Sequence, residues 1–331
     1  MRRILIDEVV RGYAWEYRRA VETTFPDVVG KLKQLALFVS ENNEWNDSKA
    51  IVDYVDMIEH DYPDLLTLEP KEWGRYKDKY AAVLSREPGM LARVVVCRRT
   101  AKGKEIRGKL YEKIIDCLQY DRIRPILGDI HQRMGLKTCV YCNASPARTG
   151  EGGDVFYQMD HFLPQSVFPF LGTCFYNLQP SCANCNDHKN NADSCFCLYV
   201  NPEQMMEINP FLFQPQVTRL SGMGDYDCVD VQFTGKDGVD TEESGQHDGM
   251  FHIHSLYTAY KSIVKDLYNL GYKMTPSYIE ATTQTYGIRL TREDVLAFVN
   301  RFPTDENKVH ADSLVKLKQD TLKQMKKDNI I

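Results

Sequence analysis

Two Cys-x-x-Cys pairs, Cys139-Val-Tyr-Cys142 and Cys182-Ala-Asn-Cys185, stand 39 residues apart in the chain. Such a pair sets two thiolates on one side of a tight knuckle, and two knuckles supply the four sulfurs that tetrahedral Zn²⁺ prefers. A zinc saturated by thiolate keeps no open coordination position. Its expected role is therefore structural, stapling a small module that has too little core of its own. No strand–helix–strand pattern of the thioredoxin kind surrounds either pair, which argues against a redox dithiol. Of the ten cysteines, Cys195 and Cys197 form a further close pair that offers a second site with His188. Cys97, Cys117, Cys174 and Cys228 stand alone and read as small buried hydrophobes.

Between the knuckles lies a second set of chemically capable residues. The run Asp154-Val-Phe-Tyr-Gln-Met alternates as a strand and ends in Asp160-His161, with Pro164 three residues on. Asn177-Leu178 follows sixteen residues after His161, Asn186 nine residues after Asn177, and Lys189 three after that. The order Cys-x-x-Cys, Asp-His-x-x-Pro, Asn-Leu, Cys-x-x-Cys-Asn-x-x-Lys resembles the HNH endonuclease superfamily, whose core is a ββα-metal fold. The likeness covers residues 139–191, under a fifth of the chain, and departs in its last motif residue, where the frequent His is Asn186. It implies a hydrolase of phosphodiester bonds. Stand-alone proteins of this kind with short C-terminal extensions are similar to anti-phage effectors of the Septu and retron-associated types, which work beside an ATPase partner.

Phosphodiester hydrolysis needs a base for water, a cation against the charge of the transition state, and help for the leaving group. His161 is the natural base, because imidazole titrates near neutral pH. Asp160 and Asn186 offer hard oxygen ligands that suit Mg²⁺ or Mn²⁺. Asn177 cannot act as acid or base, so its expected part is to bond across the hairpin and fix the backbone that aims His161. Lys189, one turn past Asn186, is expected to contact a phosphate oxygen. Two other readings use the same residues differently: a zinc-stabilised nucleic-acid- or protein-binding module without catalysis, and an RNA-directed nuclease toxin.

The net charge of −5 gives no global attraction to nucleic acid. Its distribution is uneven. Between residues 90 and 137, twelve Lys/Arg face five acids, a local surplus of seven that fits a phosphate-tracking surface for duplex DNA or simply a solvated helix face. No apolar run approaches the ~18 residues of a membrane span. The three apolar residues near Met1 are too few for a secretory signal, and a cytoplasmic protein is expected.

Elements must bring these residues together. The expected class is α+β, with a zinc-stapled ββα centre at 136–200 between a helical region at 1–135 and a mixed, mostly helical region at 201–331. Val21, Phe25, Val28, Leu32, Leu35, Ala36 and Val39 recur at helical spacing, as does the stretch 50–59. Pro63 and Pro70 punctuate that region. Residues 90–134 read as one or two helices broken at 102–104. Strands are expected at 230–233 and 250–254, with a mobile loop over 235–249. Helix returns after Leu256 and is expected to stop at Gly271; Thr291 and Asp294 resemble a capping box opening a helix at 292–300. The tail from 308 onward reads as lysine-rich and amphipathic.

Overall fold

The computed structural model describes residues 1–217, 228–287 and 289–331. It is an α+β protein in which helices surround four small two-stranded sheets among the described residues. β1 (Ile4–Leu5) leads into α1 (Glu8–Thr24), opened by the Asp7 carboxylate accepting from Val10 N–H. Val10, Ala14, Tyr17 and Val21 form its buried stripe, the three-to-four spacing of a helix with one face in the core. The stripe does not run on through Phe25, which caps α1; Pro26 separates it from α2 (Val28–Glu41). α3 (Lys49–Leu65) carries Pro63 inside its last turn, so that proline does not end the helix but deletes one hydrogen bond near its finish. Pro70 does mark a boundary, opening a short 3₁₀ turn before α4 (Trp73–Leu84). Buried Asp61 of α3 receives Lys79 of α4 at 2.6 Å and Tyr80 at 3.2 Å, tying the two helices.

Residues 94–109 are not helical. β2 (Val94–Arg99) and β3 (Glu105–Lys109) form an antiparallel hairpin, and helix resumes only at α5 (Leu110–Cys117) and α6 (Tyr120–Arg133). Three consecutive valines favour the extended chain, and Gly103, at φ +78°, makes the turn that the Lys/Gly-rich break signalled. The basic stretch is also less free than its charge suggests. Arg93 pairs with Glu87, Arg99 and Arg107 with Glu105, Lys113 with Asp116, and Arg133 with Glu16 and Asp129.

Next come β4 (Gln158–His161), antiparallel to β5 (Leu178–Ser181), and α7 (Ala183–Lys189) directly behind. β6 (Tyr199–Val200) pairs in parallel with β1, so the first strand of the chain lies beside the segment that leaves the centre. β7 (Phe211–Val217) and β8 (Val229–Gly235) form the next hairpin, which contains the strand expected at 230–233. Residues 236–241 form a turn and loop, but the rest of the loop expected at 235–249 and the strand expected at 250–254 are replaced by α8 (Glu242–Phe251) and α9 (Ile253–Thr258), joined at His252 with φ +52°. A capping box of Thr241 and Ser244 starts α8 and outweighs a five-residue alternation. Gly271 lies inside α10 (Lys261–Lys273), where a Cβ would stand 2.3 Å from Met325 Cε; it permits close packing rather than a stop. α11 (Pro276–Tyr286) precedes α12 (Arg292–Val299), which opens on the expected capping box of Thr291 and Asp294.

The lysine-rich tail forms the amphipathic helix α13 (Val315–Lys327), whose buried side packs on β7 and α10 while Lys323, Lys326 and Lys327 are exposed. Its Lys316 and Asp320, both buried, pair at 2.9 Å, and Asp320 also accepts from Phe213 N–H at 2.9 Å. No helix among the described residues is long and apolar enough to cross a membrane.

Candidate active site and metal centre

The two knuckles meet. The sulfurs of Cys139, Cys142, Cys182 and Cys185 all lie within 4.8 Å of one another, and no disulfide joins them. Four ligands at the ~2.3 Å of a Zn–S bond sit roughly 3.8 Å apart at tetrahedral corners, so this spacing accommodates a zinc-like ion with little adjustment. Cys182 is the N-cap of α7 and Cys185 lies in its first turn, so the helix start presents two of the donors. Cys195 and Cys197 do not join them: their thiols approach the carbonyls of Glu243 at 3.6 Å and Tyr199 at 3.3 Å. His188 instead faces His252, ring centres 5.0 Å apart, beside a separate cavity that Cys195 also lines.

The first knuckle is clamped from the C-terminal side. His247 donates from Nε2 to the carbonyl of Tyr141, and Tyr257 donates its hydroxyl to that of Cys142. Asn143, at φ +54°, bonds Val309 O and Lys316 N–H through its side chain and Leu314 N–H through its carbonyl.

Asp160 and His161 end β4 and line a polar cavity of about 540 Å³, together with Tyr120, Gln158, Gln165, Asn186 and Asp187. Among the described residues no lysine or arginine lines it. The His161 Nε2–H donates to Gly172 O at 2.9 Å, since a carbonyl can only accept; this fixes the tautomer and leaves Nδ1 as the ring's basic atom. Burial depresses the imidazole pKa to about 4, so His161 is neutral at pH 7. Tyr120 packs its ring 4.8 Å from that of His161 and donates its hydroxyl to Met159 O at 2.6 Å.

Asp160 is held from two sides. Tyr141, between the first two cysteines, donates its hydroxyl to Oδ2 and itself receives Gln179 Nε2–H. Lys189 Nζ lies 3.3 Å from Oδ1 and 3.2 Å from Oδ2. Burial pushes the Asp160 carboxyl above its ordinary pKa, and Lys189 and Tyr141 pull it back only in part.

Asn177 is fully buried behind the loop that follows β4. It accepts Leu163 N–H at 2.7 Å and donates to Leu163 O and Leu171 O, so it stands as a loop brace rather than a cavity group. Lys189 departs from expectation. Its side chain is wholly buried, bonding His161 O at 2.7 Å as well as Asp160, and it offers nothing to a phosphate in solvent. The reason is helical geometry: Lys189 follows Cys185 by four residues, and positions i and i+4 share a face. That face carries Cys185 into the four-cysteine cluster and toward the core. Tyr141, Gln179 and Gly172 bear directly on Asp160 and His161, yet no spacing rule singled them out. A tyrosine inside a knuckle was the one available signal.

The cavity lining offers two carboxylates (Asp160 and Asp187), several amides with Asn186 among them, and one imidazole (His161). Oxygen donors of this kind suit a hard divalent ion, and Asp160 would hold one with Tyr141 and Lys189 already bonded to its carboxylate. Compared with protein-family models, curated proteins and solved structures, the chain matches none of them.

Proposed function

We propose that the chain is a metal-dependent endonuclease of the HNH type that hydrolyses phosphodiester bonds in DNA. One observation carries the reading: Asp160-His161 from a hairpin strand and Asn186 from the following helix line a single polar cavity, in a strand–strand–helix unit braced by the cysteine cage. His161 is neutral at pH 7, with its Nε2–H held by Gly172 O. Nδ1 therefore takes the proton of the attacking water as its oxygen bonds to phosphorus, while the ester P–O bond breaks and the leaving oxygen takes a proton from solvent. Asp160 and Asn186 would hold Mg²⁺ or Mn²⁺, which when bound offsets the negative charge of the phosphate in the transition state. Among the described residues no lysine or arginine lines the cavity, and the cation beside Asp160, Lys189, is wholly buried. Asn177 fixes the Leu163 backbone two residues beyond His161, so the base is aimed by a braced loop.

The zinc-loaded protein is tested on supercoiled plasmid and on RNA with Mg²⁺ or Mn²⁺, beside His161→Ala. Divalent-dependent nicking of DNA, reduced at least 100-fold in the variant, is expected. Undiminished cleavage by His161→Ala removes the assigned base, and cleavage of RNA alone moves the substrate. One feature favours a second reading, a non-catalytic binding module: Lys189 already pairs with Asp160. Absence of cleavage with every metal and substrate, alongside retained nucleic-acid binding, selects it. The resemblance further suggests an anti-phage effector beside an ATPase, for which co-purification of an ATPase is the check.

A further inference from the structure

From the hydrogen bonds around Asp160 we infer that Tyr141 is a positioning residue that couples the cysteine cage to the cavity, setting the affinity of Asp160 for a divalent ion. The inference rests on the reading of that cavity as a divalent-ion site.

Tyr141 has two ties. Its backbone belongs to the Cys139–Cys142 knuckle, so an ion held by the four sulfurs fixes where the residue sits. Its hydroxyl donates to Asp160 Oδ2 and accepts from Gln179 Nε2, while Gln179 Oε1 accepts Leu198 N–H at 2.9 Å. A phenol has one proton to give. With Gln179 donating to it, that proton is committed to the carboxylate. Asp160 and Gln179 are paired residues of β4 and β5, so the three groups close one ring across the hairpin.

The tyrosine ring has no freedom to swing away. It stacks on Phe251 at 4.4 Å and 20° between planes, with Phe196 edge-on at 6.5 Å. The residue is fully buried. Asp160 is thereby oriented from the knuckle by Tyr141 and from α7 by Lys189, at the wall of the cavity. Hydrogen-bond partners of a metal-binding carboxylate typically change metal affinity by about 10–100-fold when they are removed. Because binding free energies are reciprocal, whatever the cage does to Asp160 through Tyr141 is returned as an effect of the cavity ion on the cage.

A structural role alone would look different, and the fold supplies a control. Tyr257 donates its hydroxyl to Cys142 O at 2.7 Å, touching the same knuckle but not Asp160. The test measures Mn²⁺ affinity by electron paramagnetic resonance on zinc-loaded full-length protein, with zinc content and melting temperature recorded for each variant. Tyr141→Phe and Gln179→Leu are expected to weaken Mn²⁺ binding by about 10–100-fold with zinc content unchanged. Tyr257→Phe is expected to lower the melting temperature and leave Mn²⁺ binding as it was. Equal Mn²⁺ affinity in the parent and Tyr141→Phe overturns the coupling while leaving the cavity reading intact. Weakening by Tyr257→Phe to the same degree reduces the effect to general loosening of the knuckle and overturns it too. A parent with no Mn²⁺ site sensitive to Asp160→Asn overturns the cavity reading itself.

Discussion

Replacing Lys189 by methionine removes a buried ammonium while keeping most of its length and apolar stem. In the folded protein that ammonium lies 3.2 Å from one Asp160 oxygen and 3.3 Å from the other, and bonds His161 O at 2.7 Å. Deleting one partner of a buried pair leaves the other charge uncompensated, at a cost of about 3–5 kcal/mol. Tyr141 still donates to Asp160, which places the expected loss toward the lower end, at about 3 kcal/mol. Removing the second charge as well, with Asp160→Asn, should recover about 2 kcal/mol of it, because the stranded carboxylate is then gone. Urea unfolding of the parent, both single variants and the double variant, all zinc-loaded, gives the cycle directly. If Lys189→Met lies within 1 kcal/mol of the parent, or the two substitutions simply add, the lysine is not the internal counter-ion described here. A lysine free to reach phosphate would instead leave stability intact and weaken only nucleic-acid binding.

Three other outcomes are expected. Burial holds the imidazoles of His131, His247 and His310 at about 3, well below the ordinary 6.5. The unfolded chain therefore takes up their protons first: the stabilisation is whole above pH 6.5 and declines as pH falls toward 3, by about 2 kcal/mol per histidine at pH 5. Urea unfolding at pH 7.5 and 5.0 checks this, and His131→Leu should cut the proton uptake on unfolding by about one; an unchanged uptake would show that His131 is not buried neutral. Cys182→Ser removes a cage donor while serine, itself a good N-cap, still opens α7, so zinc content should drop well below one per chain and the melting transition should fall with it; full zinc retention would dismiss the four-sulfur site. In Gly172→Ala the new Cβ would meet Ile115 Cδ1 at 2.1 Å and Pro169 O at 3.0 Å, costing about 1–3 kcal/mol. The shift moves the carbonyl that holds His161, so cleavage by the still-folded variant should fall, and an undiminished rate would free His161 from that bond.

What the sequence makes legible is what is locally encoded. The cage follows from spacing alone, because two knuckles have few other uses, and the capping box at Thr291 needs only four residues to be recognised. The hairpin at 94–109 is harder, since its charged, half-exposed second strand carries no apolar alternation to distinguish it from a solvated helix. Lys189 misleads for a different reason. A lysine beside a metal motif suggests phosphate, and only the i+4 relation to Cys185 betrays that it points inward. The tail is legible as a lysine-rich amphipathic helix, but composition leaves no mark of Lys316 being neutralised within the core by Asp320, one turn away. Pairings such as β1 with β6 leave no local trace at all, being set by partners nearly two hundred residues apart.

The clamp on the first knuckle has a consequence for the order in which the protein can be made. Asn143 completes its hydrogen bonds only with Val309, Leu314 and Lys316, while Tyr141 and Cys142 receive His247 and Tyr257. A ribosome delivers the four cysteines and the Asp160-His161 pair long before it delivers those partners. Throughout that interval the nascent centre holds its donors without the surfaces that shape them. Synthesis itself thus acts as a timer, and a chain broken off before residue 309 would carry the motif residues yet lack the buttress that sets their geometry.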